Sequence, residues 1–229
     1  MKRLASVDRQ LESLKKKAQR NNVEVEDLLH IAVSGEAKAA PVLRALKNEY
    51  AWPEKNRSGR NLVVPLGGWV TLVCLYLEFG FDGVINHILA ENCSSDERQM
   101  AIGVLEEIQT IDSAKALIRL ANAILPHMES DLALAKKIVS AFNLLLSFKP
   151  DFQLGHADEL AVRRFVIAFL ARAISDAEIA CAYCALRGVG DEECIKLIKE
   201  RPDLNDPWAD TAPNVIAAIR KNLKRRSAQ

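Results

Sequence analysis

Apolar residues recur at three- and four-residue steps along almost the whole chain, as in Leu4, Leu11, Leu14, Ala18 or Ile102, Leu105, Ile108. That is the period of a helix with one apolar face; the strict alternation that marks a half-buried strand is hard to find. Glycine and proline punctuate the runs, giving roughly a dozen helices of ordinary length. Start signals stand where the runs begin. Ser175 to Glu178 and Ser94 to Glu97 read as capping boxes, and Asp206-Pro207 places a cap before a proline suited to a first helical turn. A helix with a single apolar stripe must bury it on a neighbour, so these elements predict an all-α protein of stacked helical hairpins.

The exception is "EYAWPEKNRSGRNLVVPLGG", Glu49 to Gly68, the longest stretch without helical periodicity. The chain therefore divides into an N-terminal helical cap over residues 1–50, an irregular loop over 51–67 and helical repeats over 68–229, together one continuous domain. Within the loop, "PLGG" lacks the Lys-Ser or Lys-Thr and the preceding strand of a phosphate cradle. Gly67 and Gly68 instead predict a break before a helix that begins near Trp69.

Two hairpins share a pattern. "AIGVLEEIQTIDSAKALIRLA" and "AYCALRGVGDEECIKLIKERP" each hold an apolar helix, a short turn, an acid (Asp112, Asp191), a small residue (Ala114, Cys194) and a Leu-Ile pair (Leu117-Ile118, Leu197-Ile198). The two acids lie 79 positions apart, close to two repeats of the roughly 40-residue period of paired-helix solenoids. The residues Ala185, Leu186, Gly190, Asp191, Cys194, Leu197 and Ile198, followed by Asp206, Pro207, Trp208, Ala212 and Ile216, resemble the HEAT-repeat family. The likeness is clear for those two hairpins and extends over residues 68–225. It implies a right-handed α-solenoid of antiparallel helix pairs, a binding scaffold without catalytic machinery. The arginine usual in the family's second stretch is absent, Asp210 and Thr211 occupying its neighbourhood. In the turn "GVGDEEC", Gly188 and Gly190 let one helix close, and Asp191 caps the next, with Glu192 and Glu193 in its first turn.

Net charge is +1, but its distribution is uneven: Lys and Arg outnumber Asp and Glu by 13 to 8 over residues 1–60, fall to 6 against 13 over 61–160, and recover to 12 against 9 over 161–229. Such a field repels a phosphate backbone from the acidic centre. The basic stretches Leu14 to Arg20 and Lys221 to Gln229 read as solvated helix faces that also suit C-terminal dipoles. Five cysteines, Cys74, Cys93, Cys181, Cys184 and Cys194, form no paired framework. Cys181 and Cys184 share a helix face among small apolar neighbours and lack a second ligand pair, which predicts core thiols rather than zinc or a redox site. His30, His87, His127 and His156 have no partner acid at catalytic spacing, and no catalytic, cofactor or metal site is expected.

The expected function is non-enzymatic: one partner protein gripped by a rigid curved face. An inhibitor or adaptor fits best, most concretely a bacterial immunity protein opposing a basic toxin domain. The candidate contacts are Trp52, Arg57, Arg60 and Trp69 in and beside the loop, because Trp and Arg dominate interface energetics, and the acids Glu97, Glu106 and Glu107, with Glu78, Asp82 and Glu91 nearby, as mimics of a nuclease's anionic substrate. Alternatively, the two tryptophans fill the seam between the N-terminal helices and the repeats. A nucleic-acid-binding repeat protein, or a HEAT-like DNA glycosylase, is the competing reading, disfavoured by 6% aromatic content and the acidic centre. The N-terminus lacks the apolar stretch of a secretory signal, and no uninterrupted apolar run nears membrane-spanning length, so the expected location is the cytoplasm.

Overall fold

A computed structural model describes residues 6–50, 52, 54–57, 62–147 and 153–227. The chain is all-helical in class: eleven α-helices and one two-stranded hairpin occur among the described residues. It divides into two compact units, residues 1–108 and 109–229, so the divide falls inside the 68–229 repeat region drawn from sequence.

The first unit comprises α1 (Val7–Gln19), α2 (Val25–Ser34), α3 (Ala39–Glu49), β1 (Glu54–Arg57), β2 (Leu62–Pro65), α4 (Leu66–Leu89) and α5 (Ser95–Ile108). The periodic positions face inward as expected: Leu11, Leu14 and Ala18 of α1 and Ile102, Leu105 and Ile108 of α5 are buried. Leu4 lies outside the described residues. Each fully buried aliphatic side chain contributes roughly 1.5–3 kcal/mol, which gathers short helices that would not persist alone. Packing follows both chain order and a step of two: α1 meets α2 and α3, α2 meets α4 and α5, and α3 and α5 both meet α4.

Three expectations need correction here. Residues 51–67 are not wholly irregular. β1 and β2 pair antiparallel with Glu54 opposite Pro65 and Arg57 opposite Leu62; four-residue strands are too short for alternation to register, and the β-branched pair Val63-Val64 favours extended backbone. Helix α4 starts at Leu66, so Gly67 and Gly68 sit in its first turn rather than ahead of it. At 24 residues α4 is also long and apolar enough to cross a membrane by length and composition. It is not continuous, however. Gly80 adopts φ 62°, ψ −158°, a conformation glycine takes without a Cβ clash, and the segments 66–79 and 81–89 are each far short of the ~20 residues a span needs. Across the break the Tyr76 and Phe81 rings meet with centroids 5.0 Å apart.

The second unit comprises α6 (Ile111–Ile124), a 3-10 turn (Leu125–His127), α7 (Leu132–Ser147), α8 (His156–Leu170), α9 (Asp176–Ala185), α10 (Glu192–Lys199) and α11 (Thr211–Ser227). Here the step of two is plain: α6 packs on α8, α7 on α9 and α9 on α11, while α6–α7, α7–α8, α8–α9 and α10–α11 pack in sequence. Phe142, Phe165, Phe169 and Tyr183 fill the centre, with Phe142 and Phe165 edge to face at 6.2 Å, the arrangement favoured by ring quadrupoles.

Capping chemistry agrees with the sequence at three of four starts. Ser175 accepts from the Glu178 amide, Asp191 accepts from the Cys194 amide at 3.0 Å, and Ser94 and Glu97 bond reciprocally. The fourth differs: α11 begins at Thr211, not after Asp206. Asp176 holds the Asn205 amide and side chain at 2.9 and 2.8 Å, and turn bonds from Trp208 to Asn205 and from Thr211 to Trp208 occupy the residues between. The helix closes at Gly188 and Gly190 as expected, the Gly190 amide donating to the Leu186 carbonyl at 2.7 Å. Neither has a positive φ; a Cβ at Gly188 would lie 2.6 Å from the Leu146 carbonyl oxygen, and one at Gly190 2.6 Å from Ile219. They permit close approach, not a left-handed turn.

The α9–α10 turn is clamped by a buried cation. Arg163 of α8, 6% exposed, donates Nη1 to the Val189 carbonyl at 2.7 Å, sets Nε 3.1 Å from Asp191 Oδ2 and lies 3.7 Å from Glu159. Glu159 also receives Arg226 of α11.

Candidate functional site

Helix α3 carries Arg44, Lys47 and Asn48 at steps of three and four, flanking its buried Leu43 and Leu46. Helix α4 brings Val70, Thr71, Leu72 and Leu75 against them, and together with His87 these residues line an open groove of ≈ 350 Å³. Thr71 and His87 are sixteen positions apart, about 24 Å along an unbroken helix. They share one groove because α4 turns at Gly80.

The floor is apolar and the rim cationic. Lys47 Nζ donates to Thr71 Oγ1 at 2.5 Å, and that hydroxyl donates to the Gly67 carbonyl at 3.1 Å, which fixes the ammonium at one end. Arg44 makes a two-pronged pair with Glu78, Nη1 to Oε1 at 2.5 Å and Nη2 to Oε2. Behind the rim, the Cys74 thiol reaches the Ala40 carbonyl at 3.5 Å; burial pushes its pKa up to about 11, so it stays protonated and inert near neutrality. A concave apolar surface with a few convergent polar groups has the make-up of a binding site.

The residues named from sequence fall in several places. Trp52 is half-buried and donates Nε1 to the Leu46 carbonyl at 3.1 Å, closing the end of α3. Trp69 is 3% exposed, its ring directly under Gly103, where a Cβ would meet Cζ2 and Cη2 at 3.3–3.4 Å. Both tryptophans therefore pack, and Trp69 is not available to a partner. Arg57 ends β1, and Arg60 lies outside the described residues. Glu106 is 2% exposed, so a buried carboxylate stands where an exposed mimic was expected; Glu107 is half-buried. Glu97 is exposed but is drawn to Ser94, whose hydroxyl and amide hold its carboxyl below the usual range. Glu78 is taken by Arg44.

Arg44, Lys47, Asn48 and Thr71 escaped the sequence reading. The spacing of Arg44, Lys47 and Asn48 marks one polar face, but such a face is ordinary on any helix; its meaning depends on α4 folding across it. Cys74 and Cys194 are buried, Cys181 and Cys184 half-buried, and all five cysteines are free thiols. Among the described residues no cluster of three or more His, Cys, Asp or Glu side chains could hold a metal ion. His30, His127 and His156 are exposed on separate elements. No family model, curated protein or solved structure matches this chain.

Proposed function

We propose that the chain is a non-enzymatic protein-binding module of HEAT-like helical pairs that docks a segment of one partner protein in the α3–α4 groove. The groove carries the reading: its walls come from two helices fixed by their own buried faces, so little order has to be gained on binding. The two-step packing of α6 on α8, α7 on α9 and α9 on α11 supports stacked antiparallel pairs, and a right-handed solenoid is the architecture we assign to them. A cytoplasmic inhibitor or adaptor is the role that fits, with an immunity protein its most concrete form. Of the acidic residues first considered for mimicry, Glu106 is interior and Glu78 and Glu97 have intramolecular partners, which shifts the contact surface from the acids to the groove.

The test is affinity capture with the tagged full chain, beside Leu75→Asp, which puts a charge on the groove floor. A stoichiometric protein recovered by the wild type and lost with Leu75→Asp is the expected result. Recovery of nothing, or recovery unaffected by the substitution, refutes the reading.

One observation favours a second reading. No acid follows Asp210, and α11 exposes Arg220, Lys221, Lys224 and Arg225 on adjoining positions, a face that suits phosphates. Gel-shift titration at two salt concentrations separates the two: a steep loss of binding with salt favours nucleic acid, and no shift at low salt ends that alternative.

A further inference from the structure

We infer that the α3–α4 groove selects an acidic–apolar segment of its partner, with Lys47 and Arg44 receiving the carboxylate and Glu78 occupying Arg44 until it arrives. This rests on the docking reading above and names the chemistry of the occupant.

Charge decides the sign of the segment. The residues lining the groove include Arg44, Lys47 and His87 and no acid; Glu78 stands beside it, already neutralised by Arg44. A basic segment would meet the Lys47 ammonium at the rim, whereas a carboxylate would meet Lys47 and, by exchange with Glu78, the fork of Arg44. Arg44 offers a planar fork that accepts a carboxylate two-pronged, as its pairing with Glu78 shows. Lys47, anchored through Thr71 and Gly67, is a fixed point charge beside it.

Apolar character follows from Leu75, the half-exposed apolar side chain of the groove floor, with buried Val70 and Leu72 beneath it, and from what lies beyond it. Phe79 stands one helical turn past Leu75 on the same face of α4 and is 63% exposed. Its Cβ is backed by Gly83, where a Cβ would come within 2.5 Å, while the ring is left to solvent. Leu75 and Phe79 extend the apolar surface past the cationic rim. An occupant that covers both is longer than a small molecule held in ≈ 350 Å³, and a peptide segment has that reach.

Glu78 then acts as an internal stand-in. In the pair Arg44's side chain is 55% exposed and Glu78's 22%, so the arginine fork stays open to solvent on one side while the carboxylate is largely covered. An incoming carboxylate that takes Arg44 leaves the largely covered Glu78 without its partner, so the exchange has to be offset by the apolar contacts the same segment makes. The stand-in keeps Arg44 ordered in the meantime, and it rejects segments that bring only apolar groups, because these leave the pair closed.

A phage-displayed random-peptide library panned on the immobilised full chain supplies the probe, and the most enriched peptide is then synthesised and titrated by calorimetry. The expected consensus sets Asp or Glu beside Leu, Ile or Phe. Lys47→Glu should weaken the peptide about tenfold or more, the loss of one charge-assisted contact, and Glu78→Gln should tighten it severalfold by freeing Arg44. Circular dichroism checks that each variant folds. A basic consensus, no consensus, or weaker binding with Glu78→Gln overturns the inference. Binding abolished by Leu75→Asp yet indifferent to Lys47→Glu and Glu78→Gln overturns it while leaving the docking reading intact; binding that survives Leu75→Asp removes both. Sedimentation showing a dimer that Leu75→Asp dissociates would identify the occupant as a second copy, and likewise overturns it.

Discussion

Replacing Asp191 with Ala should destabilise the second unit far more than its half-exposed position suggests. The carboxylate does two jobs: it caps α10 through the Cys194 amide at 3.0 Å and it neutralises Arg163 at 3.1 Å. Loss of an N-cap costs about 1 kcal/mol. Stripping a buried cation of its partner costs ~3–5 kcal/mol in full, here reduced because Arg163 keeps the Val189 carbonyl at 2.7 Å and Glu159 at 3.7 Å. A total of roughly 2–4 kcal/mol follows from these two contributions. Arg163→Met removes the charge and keeps most of the volume; it orphans the Val189 carbonyl, at about 1–3 kcal/mol, and leaves Asp191 to solvent and to its cap. The double variant should therefore cost less than the two singles together, by about 1–2 kcal/mol of coupling. Urea unfolding followed by circular dichroism gives the energies, and hydrogen exchange over residues 188–200 reports whether the turn itself has loosened. Strict additivity, or an unchanged exchange rate at the Cys194 amide in Asp191→Ala, would refute the claim that one carboxylate links α8 to the α9–α10 turn.

Other consequences can be checked by simpler means. Gly188→Ala drives a Cβ to 2.6 Å from the Leu146 backbone oxygen and should lower stability by about 1–3 kcal/mol, whereas Gly155→Ser, at the open N-cap of α8, should be neutral or raise it by a few tenths; thermal melts of both variants decide. Cys74 and Cys194 are buried, with thiols pushed up to about 11, so iodoacetamide at pH 8 should leave both unmodified in the native protein and label them once urea unfolds it, as peptide mass spectrometry would show. Asp191 is the acid-sensitive point. Burial opposes its ionisation, but the Cys194 amide and Arg163 outweigh burial and hold the carboxyl below its ordinary value. Its stabilisation is therefore complete above the unfolded pKa near ~4 and is lost as pH falls through the lower folded one. Acid titration of wild type and Asp191→Asn should converge in stability below that window; a gap that stays constant down to pH 2 would contradict the assignment.

Helices were legible because a 3.6-residue pattern is local, and each stripe, such as Leu11, Leu14 and Ala18, is buried as written. Caps at Ser94, Ser175 and Asp191 were legible for the same reason: donor and acceptor lie three residues apart. What was missed was set by distant parts of the chain. The start of α11 is displaced because Asp176, twenty-nine positions away, holds Asn205. β1 and β2 exist only as partners of each other. The function of Gly188 and Gly190 depends on Leu146 and Ile219, which no local window contains.

The candidate site illustrates the same limit in its charges. Counted along the sequence, residues 61–160 are acidic, and an acidic docking face looked natural. Counted in space, those acids are largely committed: Glu106 is interior, Glu97 closes a cap, Glu78 occupies Arg44, Glu159 receives Arg163 and Arg226. A net charge per segment cannot foresee this, because capping and ion pairing remove acids one at a time through bonds invisible to a sum. Arg44 and Lys47 are part of an N-terminal excess of cations spread over several helices. They come to line one groove with Thr71 and His87 because α4 breaks at Gly80. A residue at Gly80 that disfavours positive φ, such as Val, should therefore disperse the groove as well as strain the backbone, with peptide binding falling further than the change in stability alone would require. Binding that survives Gly80→Val in a folded protein would show that the break is incidental to the site.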